Sequence, residues 1–117
     1  MTAKSNLNLD PIKLIEGIRR EDKWWEVLAP QYGVTNPNPP WSTSLEAMCE
    51  CLDDTGALPS LDRRGAEDKL IDAVYADVPA PERQLLALVH IMLNRGLVAE
   101  DDLASHMQTV RSRLEAA

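Results

Sequence analysis

The sequence is poor in aromatic residues and in cysteine. Aromatic residues make up 4% of the 117 positions, and phenylalanine is absent, so the core has to be built from aliphatic side chains and methionine. Such a core suits helices, because sheets favour aromatic and β-branched residues. The only cysteines are Cys49 and Cys51, which point about 200° apart on a helix. We therefore expect neither a disulfide between them nor a shared metal ion, and interpret Cys49 as a core residue and Cys51 as an incidental thiol.

Basic residues and long apolar runs are also scarce. The formal net charge is −7 and the isoelectric point is near 4.7, whereas a nucleic-acid-binding protein needs a basic face to displace counterions from phosphates. Nucleic acids and anionic membranes are therefore not expected partners. No apolar run approaches the roughly 20 residues of a transmembrane helix, and residues 1–8 lack the apolar centre of a signal peptide. These absences predict a cytoplasmic protein.

Proline divides the chain into two parts. Residues 33–40 (GVTNPNPP) predict a stiff, extended connector, because each proline fixes its own φ and biases the preceding residue away from helix. Before the connector, Asp10 and Pro11 predict a helix start, with Asp10 as the cap. After it, Thr43 and Glu46 match a capping box. We assign residues 1–40 to a tail, a helical arm and the connector, and residues 41–117 to a helical domain.

An internal repeat organises the second part. Two segments forty positions apart each contain a helix, a glycine and a second helix. The matching residues are Leu45, Met48, Cys49, Leu52, Gly56, Leu58, Asp62, Leu70 and Val74 in the first segment, and Leu85, Leu88, Val89, Met92, Gly96, Val98, Asp102, Val110 and Leu114 in the second. The pattern predicts an all-α fold of two stacked helix–turn–helix hairpins, preceded by an extended, tryptophan-bearing N-terminal helical arm. The helix over residues 82–95 is apolar on most of its circumference, so we expect it at the centre.

Catalytic motifs are not evident in this chain. Neither His90 nor His106 has a partner at the spacing that a helical metal pair uses, so we interpret both as structural residues and predict no metal ligands here. The acidic run at 100–102 is typical of a helix start. There is no phosphate-binding glycine loop and no Gly-x-Ser-x-Gly nucleophile turn. A complete active site is therefore not expected on this chain alone.

Two groups of residues fall outside the repeat. Arg63 and Arg64 follow the first glycine, whereas the second segment has Leu103 and Ala104 there. The three tryptophans lie in the arm and connector, and large aromatic side chains on such segments are often partner anchors. They could equally fold back onto the chain's own hairpins. The tryptophans are Trp24, Trp25 and Trp41.

From position 40 onwards the chain resembles the helical N-terminal part of the β subunit of nitrile hydratase and of thiocyanate hydrolase. The residues that carry the resemblance are Trp41, Thr55-Gly56-Ala57-Leu58, Arg64, Glu82-Arg83, Asn94-Arg95-Gly96-Leu97-Val98 and Asp101-Asp102-Leu103. The tetrad Cys49-Glu50-Cys51-Leu52 is similar to the thiocyanate hydrolase version. The resemblance covers about two-thirds of the chain.

The resemblance implies a role without metal ligands on this chain. In that family a Co(III) or Fe(III) ion is held by an α-type subunit, in a cysteine-rich loop whose thiolates are partly oxidised, and this chain has no such loop. The residue matching Arg64 hydrogen-bonds those oxidised sulfurs from the β subunit. The family's β subunit also continues into a small β-barrel, which would here come from a separate subunit. Nitrile hydration to an amide is the implied reaction, with Trp24, Trp25, Trp41, Arg63 and Arg83 as expected partner contacts.

Three other functions stay open at this point. The chain could be the β subunit of a thiocyanate hydrolase-like enzyme, or an accessory activator that escorts the α-type subunit before the mature β subunit replaces it. Such activators resemble the same helical segment and are short. Outside this family, a helical adaptor could use the tryptophan-bearing arm to bind some other protein.

Overall fold

Six α-helices form the protein in the computed structural model, which describes residues 7–116. They are α1 (Lys13–Glu21), α2 (Trp25–Gln31), α3 (Ser42–Asp54), α4 (Ser60–Ala73), α5 (Ala80–Asn94) and α6 (Glu100–Ala116). The described residues form no strand, so the predicted all-α fold is confirmed. None of these helices combines the length and the apolar character that crossing a bilayer requires.

Both repeated glycines end a helix as predicted. Gly56 follows α3 with φ at +77° and Gly96 follows α5 with φ at +71°, a left-handed conformation in which a Cβ atom would be strained. Each turn is closed by backbone hydrogen bonds. The amide of Leu58 donates to the carbonyl of Leu52 at 3.0 Å, and that of Leu97 to the carbonyl of Met92 at 2.9 Å. The repeat therefore corresponds to two hairpins, α3–α4 and α5–α6.

Helix α5 lies at the centre of the core, as its sequence predicts. It packs along α4, and Leu86, Leu88 and Ile91 on it are almost completely buried. Leu58 and Leu70 from the first hairpin are fully buried with them. Cys49 is also buried, which confirms its interpretation as a core residue, and Cys51 is exposed.

The arm folds onto the hairpins and is capped by their carboxylates. The Glu100 side chain at the start of α6 accepts the amide of Leu14 at 3.1 Å, and that of Glu82 on α5 accepts the amide of Trp25 at 2.6 Å. Each carboxylate satisfies one of the unpaired donors in the first turn of a helix. Charge-assisted hydrogen bonds of this kind are stronger than neutral ones, so they fix both arm helices in place.

The local caps predicted for α1 and α3 are wrong. α1 begins at Lys13 rather than at Pro11, and no side chain of its own N-terminus caps it. α3 begins at Ser42 after Trp41, again without a side-chain cap, so the capping box does not form. In α1 the distant Glu100 carboxylate supplies the acceptor that Asp10 was expected to supply.

A buried polar network joins the arm to the core. Tyr75 and His90 are both fully buried, and the Tyr75 hydroxyl lies 2.7 Å from His90 Nδ1. His90 Nε2 lies 2.7 Å from the carbonyl oxygen of Asn8. Because a carbonyl only accepts, Nε2 carries the proton. In the neutral imidazole Nδ1 is then an acceptor, and the Tyr75 hydroxyl donates to it. His90 therefore has the predicted structural role, and burial raises the pKa of Tyr75.

Tyr75→Phe should lower the free energy of unfolding by about 1–3 kcal/mol, because it leaves His90 Nδ1 buried without a donor. Urea denaturation followed by circular dichroism would measure the change. Tyr32→Phe is the matched control, since Tyr32 is 78% exposed, and should stay within about 0.5 kcal/mol of the parent. Equal effects of the two substitutions would contradict a stabilising role for the network.

Candidate partner interface on helix α4

The two arginines of the unrepeated pair have different surroundings. Successive side chains on a helix are about 100° apart, so neighbouring residues of α4 face different sides. Arg63 turns toward the core, where its Nη1 donates to both carboxylate oxygens of Glu67 at 3.0 and 3.1 Å. The side chains of Arg63 and Glu67 are only 11% and 9% exposed. Arg63 therefore forms a nearly buried ion pair with Glu67.

Burial and charge oppose each other at this ion pair. Burial raises the pKa of Glu67 above its ordinary value, while the hydrogen bond and the charge of Arg63 lower it. Burial also raises the pKa of the nearby Cys49 thiol, with Arg63 again acting in the opposite direction. Because the thiolate is the reactive form of cysteine, Cys49 stays an unreactive core thiol. The ion pair therefore lies within α4, and its charges act on the buried thiol of α3.

Arg64 lies on the outward face of α4. It is exposed, and within residues 7–116 it takes part in no hydrogen bond or ion pair. Its neighbours one helical turn away are Leu61, which is 82% exposed, and Asp68, which is also exposed. An accessible guanidinium beside an exposed leucine, on a helix packed into the core, is a suitable contact point for another protein.

A groove lies beside the same face of α4. Its volume is about 520 Å³, and its lining includes Leu61, Gly65 and Lys69 from α4 together with Arg95 near the second glycine turn. Leu61, Gly65 and Lys69 are spaced four apart, so they form one stripe along the helix. Asp62 and Ala66 of α4 also line the groove. Lys69 was not singled out from the sequence, although this spacing from Leu61 and Gly65 places it on the stripe. The groove brings the cationic side chains of Lys69 and Arg95 and the acidic side chain of Asp62 to one place.

The three tryptophan side chains make contacts within this chain. Trp24 and Trp41 are half-buried and pack against the core. Trp25 is also half-buried, and its indole N–H donates to the carbonyl of Asn36 at 3.0 Å. Trp24 and Trp41 therefore fold back onto the chain's own core, as one of the two alternatives predicted. Contact of the three tryptophans with a partner stays a prediction.

Arg83 supports the turn before α5. Its Nε donates to the carbonyl of Val78 at 2.9 Å, and the side chain is half-buried. This bond occupies one donor of the guanidinium, and a contact of Arg83 with a partner stays a prediction. Among the four predicted partner residues near the hairpins (Trp41, Arg63, Arg64 and Arg83), only Arg64 presents its side chain in an exposed position.

The described residues do not assemble a metal site. No group of three or more histidine, cysteine, aspartate or glutamate side chains within residues 7–116 is arranged to hold a metal ion. Comparison with protein-family models, with curated proteins and with solved structures found no match for this chain. The functional conclusion therefore depends on the residues and on their geometry.

Proposed function

We propose that this chain is a non-catalytic, β-type subunit of a nitrile hydratase-family metalloenzyme. In this function it binds an α-type subunit that holds the metal in a cysteine-rich loop, and it contacts that loop through Arg64. The observation that carries the proposal is the different exposure of the two arginines. Arg63 is nearly buried against Glu67, whereas Arg64 is exposed on a helix anchored in the core.

The chemistry of arginine supports the role given to Arg64. A guanidinium presents several N–H donors in a fixed plane and remains charged at any working pH. Sulfenate and sulfinate groups are anionic oxygen acceptors, to which such a fork donates charge-assisted hydrogen bonds. In a chain of net charge −7, an exposed arginine without an ion-pair partner among the described residues has its donors available for such acceptors.

The partner's metal would supply Lewis-acid activation of the nitrile. This chain's contribution is different, because a hydrogen-bond donor from outside the ligand set orients the ligands and tunes the metal. Leu61 beside Arg64 and the adjoining groove, which is lined by Lys69, Arg95 and Asp62, provide apolar and charged surface for the rest of the contact. The proposal thus makes Arg64 a positioning residue, and the half-buried tryptophans supplementary contacts.

Co-expression with a cysteine-loop subunit and a barrel-bearing subunit tests the proposal. We expect a stoichiometric complex that contains cobalt or iron and hydrates a nitrile to its amide. Size-exclusion chromatography, metal analysis and amide formation measure the three properties. Omitting this chain is the control, and should leave the other subunits without turnover.

The other results would favour the alternatives. A transient complex that loads metal but is replaced before turnover begins would identify an accessory activator. Hydrolysis of thiocyanate in place of nitrile would assign the chain to the thiocyanate hydrolase-like enzymes. A stable monomer that binds neither subunit would contradict every function within this family.

A further inference from the structure

Helix α6 carries an apolar surface that the described residues do not cover. No residue of α6 is buried, although Leu103, Met107, Val110 and Leu114 form a stripe along one side of it. Leu114 is 73% exposed, and Met107 and Val110 are also exposed. Together with their flanking residues they line a shallow groove of about 370 Å³. We call these four residues the α6 surface.

The internal repeat shows how an equivalent surface is covered. In the repeat, Val110 corresponds to Leu70 and Leu114 to Val74. Leu70 is fully buried and Val74 is packed against the core, on a helix that lies along α5, the first helix of the next hairpin. By this correspondence, we expect the α6 surface to pack against another helix, as α4 packs against α5.

The spacing of the α6 surface fits the same conclusion. Its residues are separated by four, three and four positions, the alternation of a coiled-coil seam. Such a seam packs against a helix that presents apolar side chains at the same spacing. The chemistry expected of a partner is therefore that of an amphipathic helix.

Two arginines flank the α6 surface. Arg111 and Arg113 occupy positions beside the seam where interhelical charge pairs form, and Glu115 is the one acidic residue in the groove lining. Arg111 makes an exposed contact of 3.5 Å with Glu21 of α1. Arg113 makes no hydrogen bond or ion pair with any described residue. A partner helix with acidic residues beside its apolar seam complements these charges.

A second copy of this chain does not provide that helix. Pairing α6 with α6 in register would place His106 or Ala104 of the second copy opposite Arg111 and Arg113, so the two arginines would find no carboxylate there. Helix α3 of another copy carries acidic residues, but it could not cover α6 in the way that α5 covers α4. It lacks the apolar side chains with which α5 contacts α4. The positions on α3 that match the buried Leu86 and Ile91 of α5 are Glu46 and Cys51.

We propose that the α6 surface is a docking site for an amphipathic helix of another protein, with acidic residues beside its apolar seam. Apolar burial along the stripe supplies the affinity, and the two flanking arginines select the partner and its register. This interaction uses a different helix from Arg64 and α4, so it holds whether or not the function proposed above is correct.

Two designed helical peptides test the proposal against the full-length chain. Both peptides are three heptads long and carry leucine at every seam position. One peptide has glutamate and the other has lysine at the positions that flank the seam. Fluorescence anisotropy should show that the glutamate peptide binds at least about tenfold more tightly, since several weak charge pairs change from attraction to repulsion. Arg113→Glu should reduce the ratio between the affinities of the glutamate and the lysine peptide.

Val110→Asp should weaken binding of the glutamate peptide by about tenfold or more, because it places a charge in the centre of the seam. Met48→Asp is the matched control, since Met48 is an equally exposed apolar residue on α3, and it should leave binding unchanged. Circular dichroism would verify that both variants remain folded. Equal binding of the two peptides, or binding that Val110→Asp does not weaken, would overturn the proposal. So would self-association of the chain that Val110→Asp abolishes, because the partner would then be a second copy.

Discussion

Arg63→Met should lower the free energy of unfolding by about 3–5 kcal/mol at neutral pH, the usual cost of leaving one member of a buried ion pair without its partner. Glu67 would then have no counter-charge in a site where only 9% of its side chain is exposed. Urea denaturation at several pH values would measure the loss. The loss should diminish as the pH falls toward the ordinary carboxyl pKa of 4.5.

The sign of this pH dependence follows from the direction of the pKa shift. Burial raises the pKa of Glu67 and Arg63 opposes the rise, so removing Arg63 raises it further. A carboxyl group with a raised pKa in the folded state favours folding at low pH, and that contribution is lost as the pH rises through the folded-state value. Stability of the variant should therefore decrease more steeply above pH 4.5 than stability of the parent.

The double variant Arg63→Met/Glu67→Gln is the control for that experiment. It removes the buried charge together with its partner, and should recover much of the loss and most of the added pH dependence. If Arg63→Met instead cost less than about 1 kcal/mol, or the same amount at pH 4.5 and pH 7, the ion pair would not stabilise the folded chain.

Arg64→Lys should leave the multi-subunit complex assembled but reduce its turnover by about 10–100-fold, the usual effect of losing a hydrogen bond to a metal ligand. Lysine keeps the positive charge but cannot reproduce the planar donor fork. Steady-state nitrile hydration by the purified complex would measure the loss, and size-exclusion chromatography would show whether assembly is unchanged.

Arg20→Lys is the matched control for Arg64→Lys. Arg20 is also exposed on a helix, and it makes no hydrogen bond or ion pair with the described residues, so its replacement should leave turnover unchanged. Full turnover with Arg64→Lys would contradict the proposed contact. Loss of assembly, with normal turnover in whatever complex remains, would make Arg64 an interface anchor rather than a positioning residue.

The parts of this fold that depend on neighbouring residues were predictable from the sequence. The spacing of the apolar residues predicted the helices of both hairpins. Gly56 and Gly96 marked the two turns, because a residue in the left-handed conformation is needed there. The apolar circumference of α5 predicted its central position. The burial of Cys49 followed from the same periodicity.

The parts that depend on distant residues were not predictable. The carboxylates of Glu82 and Glu100 replace local caps, and nothing near Leu14 or Trp25 in the sequence identifies them. The repeat suggested similar burial in α4 and α6, but the burial of α4 requires α5 against it. For the candidate site, the sequence isolated the basic pair, and only the packing of α4 shows that Arg63 faces inward and Arg64 outward.

The cap that Glu100 provides for α1 has a consequence for synthesis of the chain. The donor at Leu14 precedes its acceptor by 86 positions, and at about 5–20 residues per second a ribosome takes roughly 4–17 s to cover that distance. During this interval α1 has no acceptor from α6, and a helix of nine residues is too short to be stable alone in water. Among the described helices, α1 is therefore the first to be translated but receives its cap only after α6 has begun.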